Sequence, residues 1–295
     1  MKNELSILIP VYNGDCRRQV AALSRQAEAI DGLHYEIIVA DDGSPDRNCV
    51  ELCREVERFP YCRFIDRGVN SGSAAMRNFL ARESKYRWLL FLDCDMDIED
   101  DQFIRRYLQG DHRGVVNGGI AIGMGDKGNL RFLYETESAP RHTASERNKR
   151  PYQSFRSANF LIEREVMLDC PFDERFKKSG YEDVMLGKQL RKKSVKILHI
   201  DNPNVMTDFE SNPAYVSKIE RSLRTLYQFR DELRGYSQLL TLAGGIHLAP
   251  VRSAIRLWHR LFGSLERRNL CGNHPSLRLF KLYKLGYFMT INNKQ

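Results

Sequence analysis

Short apolar runs alternate with helix-like stretches along the first 200 residues, and this alternation limits the fold more than any other feature. The apolar runs are rich in β-branched residues, as in buried parallel strands. The predicted strands are 5–12, 35–40, 62–66, 88–92, 114–122, 159–162 and 195–200. The predicted helices include 17–30, 46–58 and 182–192, and 70–82 is predicted to be a loop that leads into a helix. This order is typical of an open α/β sheet with helices on both faces.

Two regions depart from the alternation. Residues 135–153 are polar and rich in Arg, Ser and Glu, which predicts a loop. After Pro213, apolar residues recur at helical spacing, and further amphipathic stretches follow Pro250 and cover 277–288. We therefore expect an α/β domain over residues 1–225 and a basic helical extension over residues 226–295.

The net charge of +8 is concentrated in that extension. From Val251 to the end there are nine Lys and Arg residues and a single acid, Glu266, whereas the first 250 residues carry 37 of each sign. Cations beside Trp, Leu, Phe and Tyr on amphipathic helices suit an anionic membrane surface. A helical cap with a solvated basic face explains them equally well. We expect no nucleic-acid partner, because no recognisable nucleic-acid-binding module accompanies the charge.

Bulk features point to a cytoplasmic protein. No stretch approaches the roughly 18 apolar residues of a membrane span, and no signal-peptide pattern opens the sequence. The seven cysteines are an odd number, which fits free thiols in a reducing compartment. Cys49, Cys53 and Cys62 lack the partners of a zinc site. We expect a cytoplasmic location, with peripheral contact to the inner face of the membrane if the extension binds lipid.

An acidic cluster, Asp93-Cys94-Asp95-Met96-Asp97, follows the buried run 88–92. Three carboxylates at alternate positions repel one another unless a cation binds them. Mg²⁺ or Mn²⁺ would suit these oxygen ligands and would hold the phosphates of a nucleotide. The alternative is a solvated acidic turn.

Two further polar clusters follow predicted strands. Asp41-Asp42-Gly43-Ser44 could accept hydrogen bonds from a base or a ribose, or could form a β-turn that caps a helix. Residues 70–78 (NSGSAAMRN) place small residues before a helix that carries Arg77, which suits an anionic ligand or tight helix packing. In open α/β sheets, ligands bind at the carboxyl ends of strands, so one site could gather all three clusters.

These segments, in their order and spacing, resemble the family 2 glycosyltransferases with the A-type fold. The resemblance rests on 6–13 (SILIPVYN), 41–44 (DDGS), 70–78, Asp93-x-Asp95 and Tyr181-Glu182-Asp183. It covers roughly residues 4–225. It implies a Rossmann-like, mixed but mainly parallel sheet flanked by helices, here with a C-terminal helical extension.

The resemblance also implies roles for individual residues. Asp183, with Glu182 beside it, would be the catalytic base, and Asp93 and Asp95 would bind the ribose and a metal bound to the diphosphate. The remaining substrate-binding residues would be Pro10, Tyr12, Asp41, Asp42, Asn70, Gly72, Arg77 and Cys94.

The implied activity is inverting transfer of one sugar from a nucleotide sugar, UDP-linked by preference, with Mn²⁺ or Mg²⁺. The acceptor would be a hydroxyl of a glycan or a lipid-linked molecule, in surface polysaccharide synthesis. Processive relatives carry Gln-x-x-Arg-Trp after the catalytic base, whereas residues 189–193 here read Gln-Leu-Arg-Lys-Lys and contain no Trp. Many members of that family use a histidine as a further ligand; this sequence has Met206 in its place, and Asp208 or His199 are the candidate substitutes.

Other functions fit the sequence less well. A nucleotidyltransferase acting on a sugar phosphate would need a Gly-rich basic loop after the first strand, and residues 14–18 (GDCRR) match this poorly. A non-catalytic membrane-surface or nucleic-acid-binding module would not need carboxylates at positions 93, 95 and 183. A dinucleotide dehydrogenase fits least well, because no GxGxxG follows the first strand.

Overall fold

The computed structural model describes residues 2–110, 112–178 and 180–291. Across these residues, the main sheet contains seven strands in the order β3-β2-β1-β4-β8-β6-β9, and a small sheet has the order β5-β10-β7. The strands are β1 (Glu4–Val11), β2 (His34–Asp41), β3 (Cys62–Asp66), β4 (Trp88–Leu92), β5 (Met96–Asp97), β6 (Val115–Asn117), β7 (Ile120–Ile122), β8 (Asn159–Glu163), β9 (Ile197–His199) and β10 (Asn204–Met206).

Helices cover both faces of the main sheet and form the C-terminal region. They are α1 (Arg17–Glu28), α2 (Arg47–Arg54), α3 (Ser73–Glu83), α4 (Phe103–Leu108), α5 (Leu130–Ser138), α6 (Ala144–Lys149), α7 (Arg164–Asp169), α8 (Glu182–Lys192), α9 (Asn212–Gln228), α10 (Gln238–Gly245), α11 (Ala249–Leu270) and α12 (Leu277–Thr290). Short 3-10 helices span Glu55–Arg58 and Ala139–Arg141.

The sheet is mixed but mainly parallel, as predicted. Strands β1 to β4 run parallel, β8 is antiparallel to both β4 and β6, and β6 and β9 are parallel again. The register aligns Val11 with Asp41 and Asp41 with Asp66, so β1, β2 and β3 end side by side. The loops that follow these strands therefore meet at one edge.

Alternate residues of the central strands fill two separate apolar layers. Ile7 and Ile9 of β1 pack with α1, α2 and α4, whereas Leu8 packs with α3 and α7 on the other face. All three side chains are fully buried. Burial of each such side chain is worth roughly 1.5–3 kcal/mol, which fixes the register of the sheet and the positions of its loops.

The prediction of a loop over 135–153 is wrong, since α5 and α6 occupy most of this segment. Asn129 and Thr143 cap the two helices by accepting from Phe132 N and Glu146 N. The polar residue Arg147 is buried, and it donates to Asn117 Oδ1 at 2.8 Å and to the Ile200 carbonyl at 2.8 Å. The polar composition therefore reflects buried hydrogen bonds rather than a solvated loop.

The predicted strand 114–122 is two strands that belong to different sheets. The chain leaves β6 at Gly118 and enters β7 at Ile120. A Cβ atom at Gly118 would lie 2.2 Å from the Asn202 carbonyl oxygen, so only glycine fits where the chain changes sheets. Strand β7 pairs with β10, and β10 also pairs with β5 of the acidic cluster, Met206 opposite Met96.

The C-terminal region is helical, as predicted, and α11 and α12 pack against α9. Glu220 of α9 joins the three helices by accepting from Arg267 Nε at 2.8 Å and from the Tyr283 hydroxyl at 2.6 Å. Helix α9 continues past residue 225, so the proposed division of the chain at 225/226 falls within a helix. In the described part of the chain, no helix is both long and apolar enough to cross a membrane.

Candidate active site

Asp42 connects the loop after β2 to the loop before α3 by hydrogen bonds at the edge of the sheet. One carboxylate oxygen accepts from Ser71 N at 2.8 Å and Ser71 Oγ at 2.7 Å, and the other accepts from Gly72 N at 2.9 Å. Gly43 faces the same loop, where a Cβ atom would lie 2.5 Å from Asn70 N. The Asp42 and Asn70 segments are thus held in contact, while the Asn70 residue itself stays exposed.

Asp41 shapes the loop that follows β1. Its carboxylate accepts from the backbone and hydroxyl of Ser44, and Ser44 Oγ in turn accepts from Asn13 N at 2.8 Å. Pro10, near the end of β1, is half-buried, and Tyr12, just after β1, is 49% exposed. This arrangement leaves the Tyr12 ring available to a planar ligand beside Asp41 and Asp42.

Cys94 lies behind that loop. A Cβ atom added to Gly14 would come within 2.9 Å of Cys94 Sγ, so the thiol packs against the backbone of the loop. Burial and the charges of Asp95 and Asp93 raise the pKa of Cys94 well above its usual value. The thiol is therefore neutral, and it packs against the loop at Gly14.

Arg77 of α3 is a buried cation at the centre of the site. Its Nη2 donates to Asp93 Oδ1 at 2.5 Å, and its Nη1 donates to the Ser73 carbonyl at 3.3 Å. Burial opposes the charge, but the carboxylates of Asp93 and Glu182 more than offset this and raise the pKa of Arg77. The buried Nε lacks a hydrogen-bond partner among the described residues. Arg77 therefore stays charged and links the acidic cluster to the start of α8.

Glu182 and Asp183 begin α8. Glu182 is fixed, because it accepts from Ser73 Oγ at 2.8 Å and from Gly180 N at 2.7 Å. Asp183 accepts only from its own neighbour, Val184 N, at 2.7 Å, and no described residue forms an ion pair with it. Burial and the charge of Glu182 raise the pKa of Asp183 to about 7. At neutral pH, Asp183 can both take up and release a proton.

Asp93 and Asp95 face different surroundings. Asp93 pairs with Arg77, whereas Asp95 is exposed and has no ion-pair partner in the described residues. Packing removes part of the water around the Asp95 carboxyl and, with the charge of Asp93, raises its pKa. Asp97 does not join Asp93 and Asp95, because its carboxylate accepts a hydrogen bond from Thr207 Oγ1 at 2.7 Å.

The two carboxylates fit a divalent cation, since both present oxygen atoms and their mutual repulsion favours a bound positive charge. Among the described residues, no group of three His, Cys, Asp or Glu side chains forms a complete metal site. Met206 is buried in an apolar cluster with Met96 and Ala158. The remaining ligands would therefore come from the substrate or from water.

His199 does not substitute for the histidine that many relatives carry. Its Nε2 lies 2.9 Å from the Pro151 carbonyl, and its Nδ1 lies 3.4 Å from Arg147. Burial lowers the pKa of His199 to about 4, so the ring is neutral. These contacts hold His199, the last residue of the edge strand β9, against Pro151 and α6.

The sequence reasoning missed two cations that face Asp95. Arg131 of α5 and Lys218 of α9 both lower the pKa of Asp95 through their charge. Glu210 pairs with both, and its oxygen lies 3.0 Å from Lys218 Nζ. Their distance in sequence from the acidic cluster hides this electrostatic interaction, although the helical spacing of Leu130, Leu133 and Tyr134 was a signal that α5 exists.

The profile of the family described as Glycosyl transferase family 2 matches residues 6–170, more than half of the chain. The chain belongs to this family. The matched range contains the Asp42, Arg77, Asp93 and Asp95 positions just described. It ends before Glu182 and Asp183, so these two residues rest on the geometry and on the resemblance of their local sequence.

Characterised relatives of this glycosyltransferase share shorter segments with it. Chondroitin synthase of Escherichia coli is 41% identical over 100 residues, which cover 31% of this chain and 13% of that protein. The poly(ribitol-phosphate) beta-glucosyltransferase of Bacillus spizizenii is 32% identical over 105 residues, or 35% and 17% of the two chains. The matched segments span 13% to 62% of the curated relatives' own lengths.

Solved structures share the fold at low sequence identity. S. aureus TarS matches with a TM-score of 0.52 and 15% identity, over 97% of this chain and 54% of TarS. The mannosyltransferase PcManGT of Pyrobaculum calidifontis, solved with GDP-Man and Mn²⁺, gives 0.56 and 12%, over 97% and 84% of the two chains. Glucosyl-3-phosphoglycerate synthase of Mycobacterium tuberculosis, with Mg²⁺ and UDP, gives 0.52 and 17%, over 76% and 78%. The A-type glycosyltransferase fold is thereby confirmed.

The raised pKa of Asp183 gives a prediction that requires no substrate. Substituting Glu182→Gln removes a neighbouring negative charge, so the pKa of Asp183 should fall below about 7. The measurement is the pH dependence of the carboxyl ¹³C shift in protein labelled at aspartate. Glu165→Gln, at an exposed position on α7, is the control and should leave the titration unchanged. An unaltered Asp183 titration in the Glu182 variant would mean that burial alone sets the pKa.

Proposed function

We propose that this glycosyltransferase moves a single sugar, with inversion, from a UDP-linked donor to a hydroxyl of a glycan or lipid-linked acceptor. The observation that carries the proposal is the state of Asp183, a carboxylate without an ion-pair partner among the described residues, whose pKa is raised to about 7. Through Arg77 it lies in one charged network with Asp93 of the acidic cluster.

Asp183 has the properties of a general base. A sugar hydroxyl is a weak nucleophile, so a carboxylate must take its proton as the oxygen attacks the anomeric carbon. The new carbon–oxygen bond forms as the bond to the diphosphate breaks, and the nucleoside diphosphate leaves with the electron pair. A single displacement inverts the anomeric centre. Hydrogen bonds from Ser73 and Gly180 hold Glu182 in place. The negative charge of Glu182 raises the pKa of Asp183 and so makes Asp183 a stronger base.

Asp93 and Asp95 are the proposed ligands of Mn²⁺ or Mg²⁺. When bound, such an ion offsets the negative charge that develops on the leaving diphosphate. Arg77 orients the Asp93 carboxylate, and Arg131 and Lys218 add positive charge beside Asp95. The metal complexes of PcManGT and glucosyl-3-phosphoglycerate synthase, which share this fold, support the assignment.

The donor loops are suited to a nucleoside. Tyr12 is exposed beside Asp41 and Asp42, where its ring could stack on a base, and Asn70 and Gly72 line the adjoining loop. Gly72 has a φ of +89° and no room for a side chain, since a Cβ atom would lie 2.6 Å from the Lys177 carbonyl. UDP is bound by glucosyl-3-phosphoglycerate synthase and by S. aureus TarS, which supports UDP as the nucleotide.

The sequence that follows the proposed catalytic base, Asp183, is the reason for proposing transfer of a single sugar. The Gln189 side chain is directed into the protein, where its buried Oε1 finds no partner among the described residues. Lys193 stands where the motif of processive relatives has Trp, so an aromatic platform for a growing polymer is lacking at this position. We propose transfer within surface polysaccharide synthesis.

We also propose that α11 rests on the cytoplasmic face of an anionic membrane. Leu257, Trp258, Leu261 and Leu265 are 46% to 61% exposed. The exposed cations Arg252 and Arg260 lie on the same helix. Apolar side chains beside cations are the combination that binds such a surface, and this contact would bring a lipid-linked acceptor within reach.

The base assignment is tested by Asp183→Asn, which removes the proton acceptor without changing shape. We expect nucleoside diphosphate release to fall by about 10²–10⁴-fold, with donor affinity nearly unchanged. The donor is first found by a metal-supplemented hydrolysis screen of UDP-, GDP- and dTDP-sugars. In the unaltered enzyme the rate should rise with pH through about 7, as Asp183 loses its proton. Asp231→Asn, at an exposed site, is the control, and full turnover by the Asp183 variant would remove the assignment.

The metal assignment is tested by Asp95→Ala. Calorimetric titration with UDP should show that Mn²⁺ strengthens binding to the unaltered protein but no longer does so in this variant. The expected loss in the presence of Mn²⁺ is about tenfold or more. Asp97→Asn is the matched control, because Asp97 is engaged by Thr207 and should leave the metal effect intact. Equal Mn²⁺ enhancement in the Asp95 variant would contradict the proposal.

Membrane contact is tested by vesicle flotation. Leu261→Ser with Leu265→Ser removes two apolar side chains, so the fraction bound to phosphatidylglycerol vesicles should drop about tenfold. Leu168→Ser, at an exposed leucine on α7, should bind as the unaltered protein does. If the double variant floats with the vesicles to the same extent, α11 is not the contact.

A further inference from the structure

A cationic cavity of about 890 Å³ lies beside the start of α8. Its charged lining consists only of Arg and Lys among the described residues: Arg175, Lys177, Lys178, Arg221, Arg224 and Arg230. Phe176, Thr225 and Phe229 form part of its floor. A volume of this size suits a small ligand or one segment of a longer molecule.

Two of these cations are already engaged by the protein. Arg175 pairs with Asp173 and Glu232, and Arg230 donates to the Tyr227 carbonyl at 2.7 Å. Arg224 lies over the Tyr287 ring, 5.7 Å from its centroid, but it has no acidic partner within the described residues, and neither have Lys177, Lys178 and Arg221. Four positive charges that face one cavity repel one another, and a bound anion would relieve this repulsion.

The cavity lies next to the segment that carries the proposed catalytic base. Lys177 and Lys178 lie on the segment that leads into Glu182 and Asp183. The Lys177 carbonyl packs against Gly72, and the position of a Cβ atom at Gly180 is 2.4 Å from Ser222 Oγ, next to Arg221. None of the residues proposed to bind the nucleotide lines the cavity.

We infer that this cavity binds phosphate groups of the acceptor and so selects acceptors that carry phosphate. The inference rests on the proposed function and names the class of molecule that would receive the sugar. Guanidinium and ammonium groups together suit phosphate oxygens, and several unpaired cations match more than one negative charge. The concave shape distinguishes this site from α11, whose exposed apolar residues suit a flat surface.

The first test is direct binding of a phosphate probe. The cavity variant carries three substitutions, Lys177→Gln, Lys178→Gln and Arg221→Gln, and so removes three charges that lack an acidic partner. Calorimetric titration with tripolyphosphate, without divalent metal, should show at least a tenfold loss of affinity. The control variant Arg82→Gln, Arg113→Gln and Lys192→Gln removes the same charge from exposed positions elsewhere and should bind within about twofold of the unaltered protein. Equal affinity in the cavity variant overturns the inference.

The second test identifies the source of the phosphate. A water-soluble glycerol-phosphate oligomer and a detergent-solubilised polyprenyl diphosphate are each added to the unaltered enzyme with its donor. The one that accelerates release of the nucleoside diphosphate carries the acceptor chemistry, and the acceleration should be lost in the cavity variant. If neither accelerates release, or if the cavity variant responds fully, the cavity does not select the acceptor.

The two proposals fail in different ways. Hydrolysis of a nucleotide sugar by the unaltered chain tests the proposed function and requires no phosphate-bearing acceptor. If no donor is hydrolysed, the proposed function fails, whatever the cavity binds. If a donor is hydrolysed but tripolyphosphate binds the cavity variant with unchanged affinity, only the inference about the acceptor fails.

Discussion

A buried guanidinium, that of Arg77, holds the two halves of the site together. It contacts Asp93 at the end of β4 and compensates the charge of Glu182 and Asp183 at the start of α8. These carboxylates would repel one another in a site that excludes much of the water. Their close placement therefore depends on one charged side chain from α3, and the position of α3 depends in turn on its packing beneath the sheet.

The order of strands and helices follows from sequence pattern because each central strand is a short apolar run with polar residues at its end. Cys62–Asp66, Trp88–Leu92 and Glu182–Lys192 match their predicted bounds. The prediction fails at 135–153, because a buried Arg147 and a solvated arginine are identical in sequence. It also fails at Gly118, where the change of sheet depends on contact with the distant Asn202 carbonyl.

The candidate site shows a similar limit. The acids at 93, 95, 182 and 183 are recognisable because they form short motifs. The cations Arg131 and Lys218, which face Asp95, belong to no motif and come from helices more than 30 residues away in sequence. A sequence pattern reveals the acidic residues of the site. The cations that shift the pKa values of those acids are brought close only by tertiary packing. The four unpaired cations of the cavity are likewise assembled from two separate segments.

The positions proposed for the donor and for the acceptor differ in how freely they can change. Both oxygens of Asp42 accept hydrogen bonds from the neighbouring loop, and Gly72 admits no side chain. Lys177, Lys178 and Arg221 instead are exposed, and their side chains form no hydrogen bond or ion pair with any described residue. With the proposed roles, a duplicated copy of this gene can evolve toward a new acceptor by single substitutions, while a new nucleotide would require the loops themselves to be rebuilt.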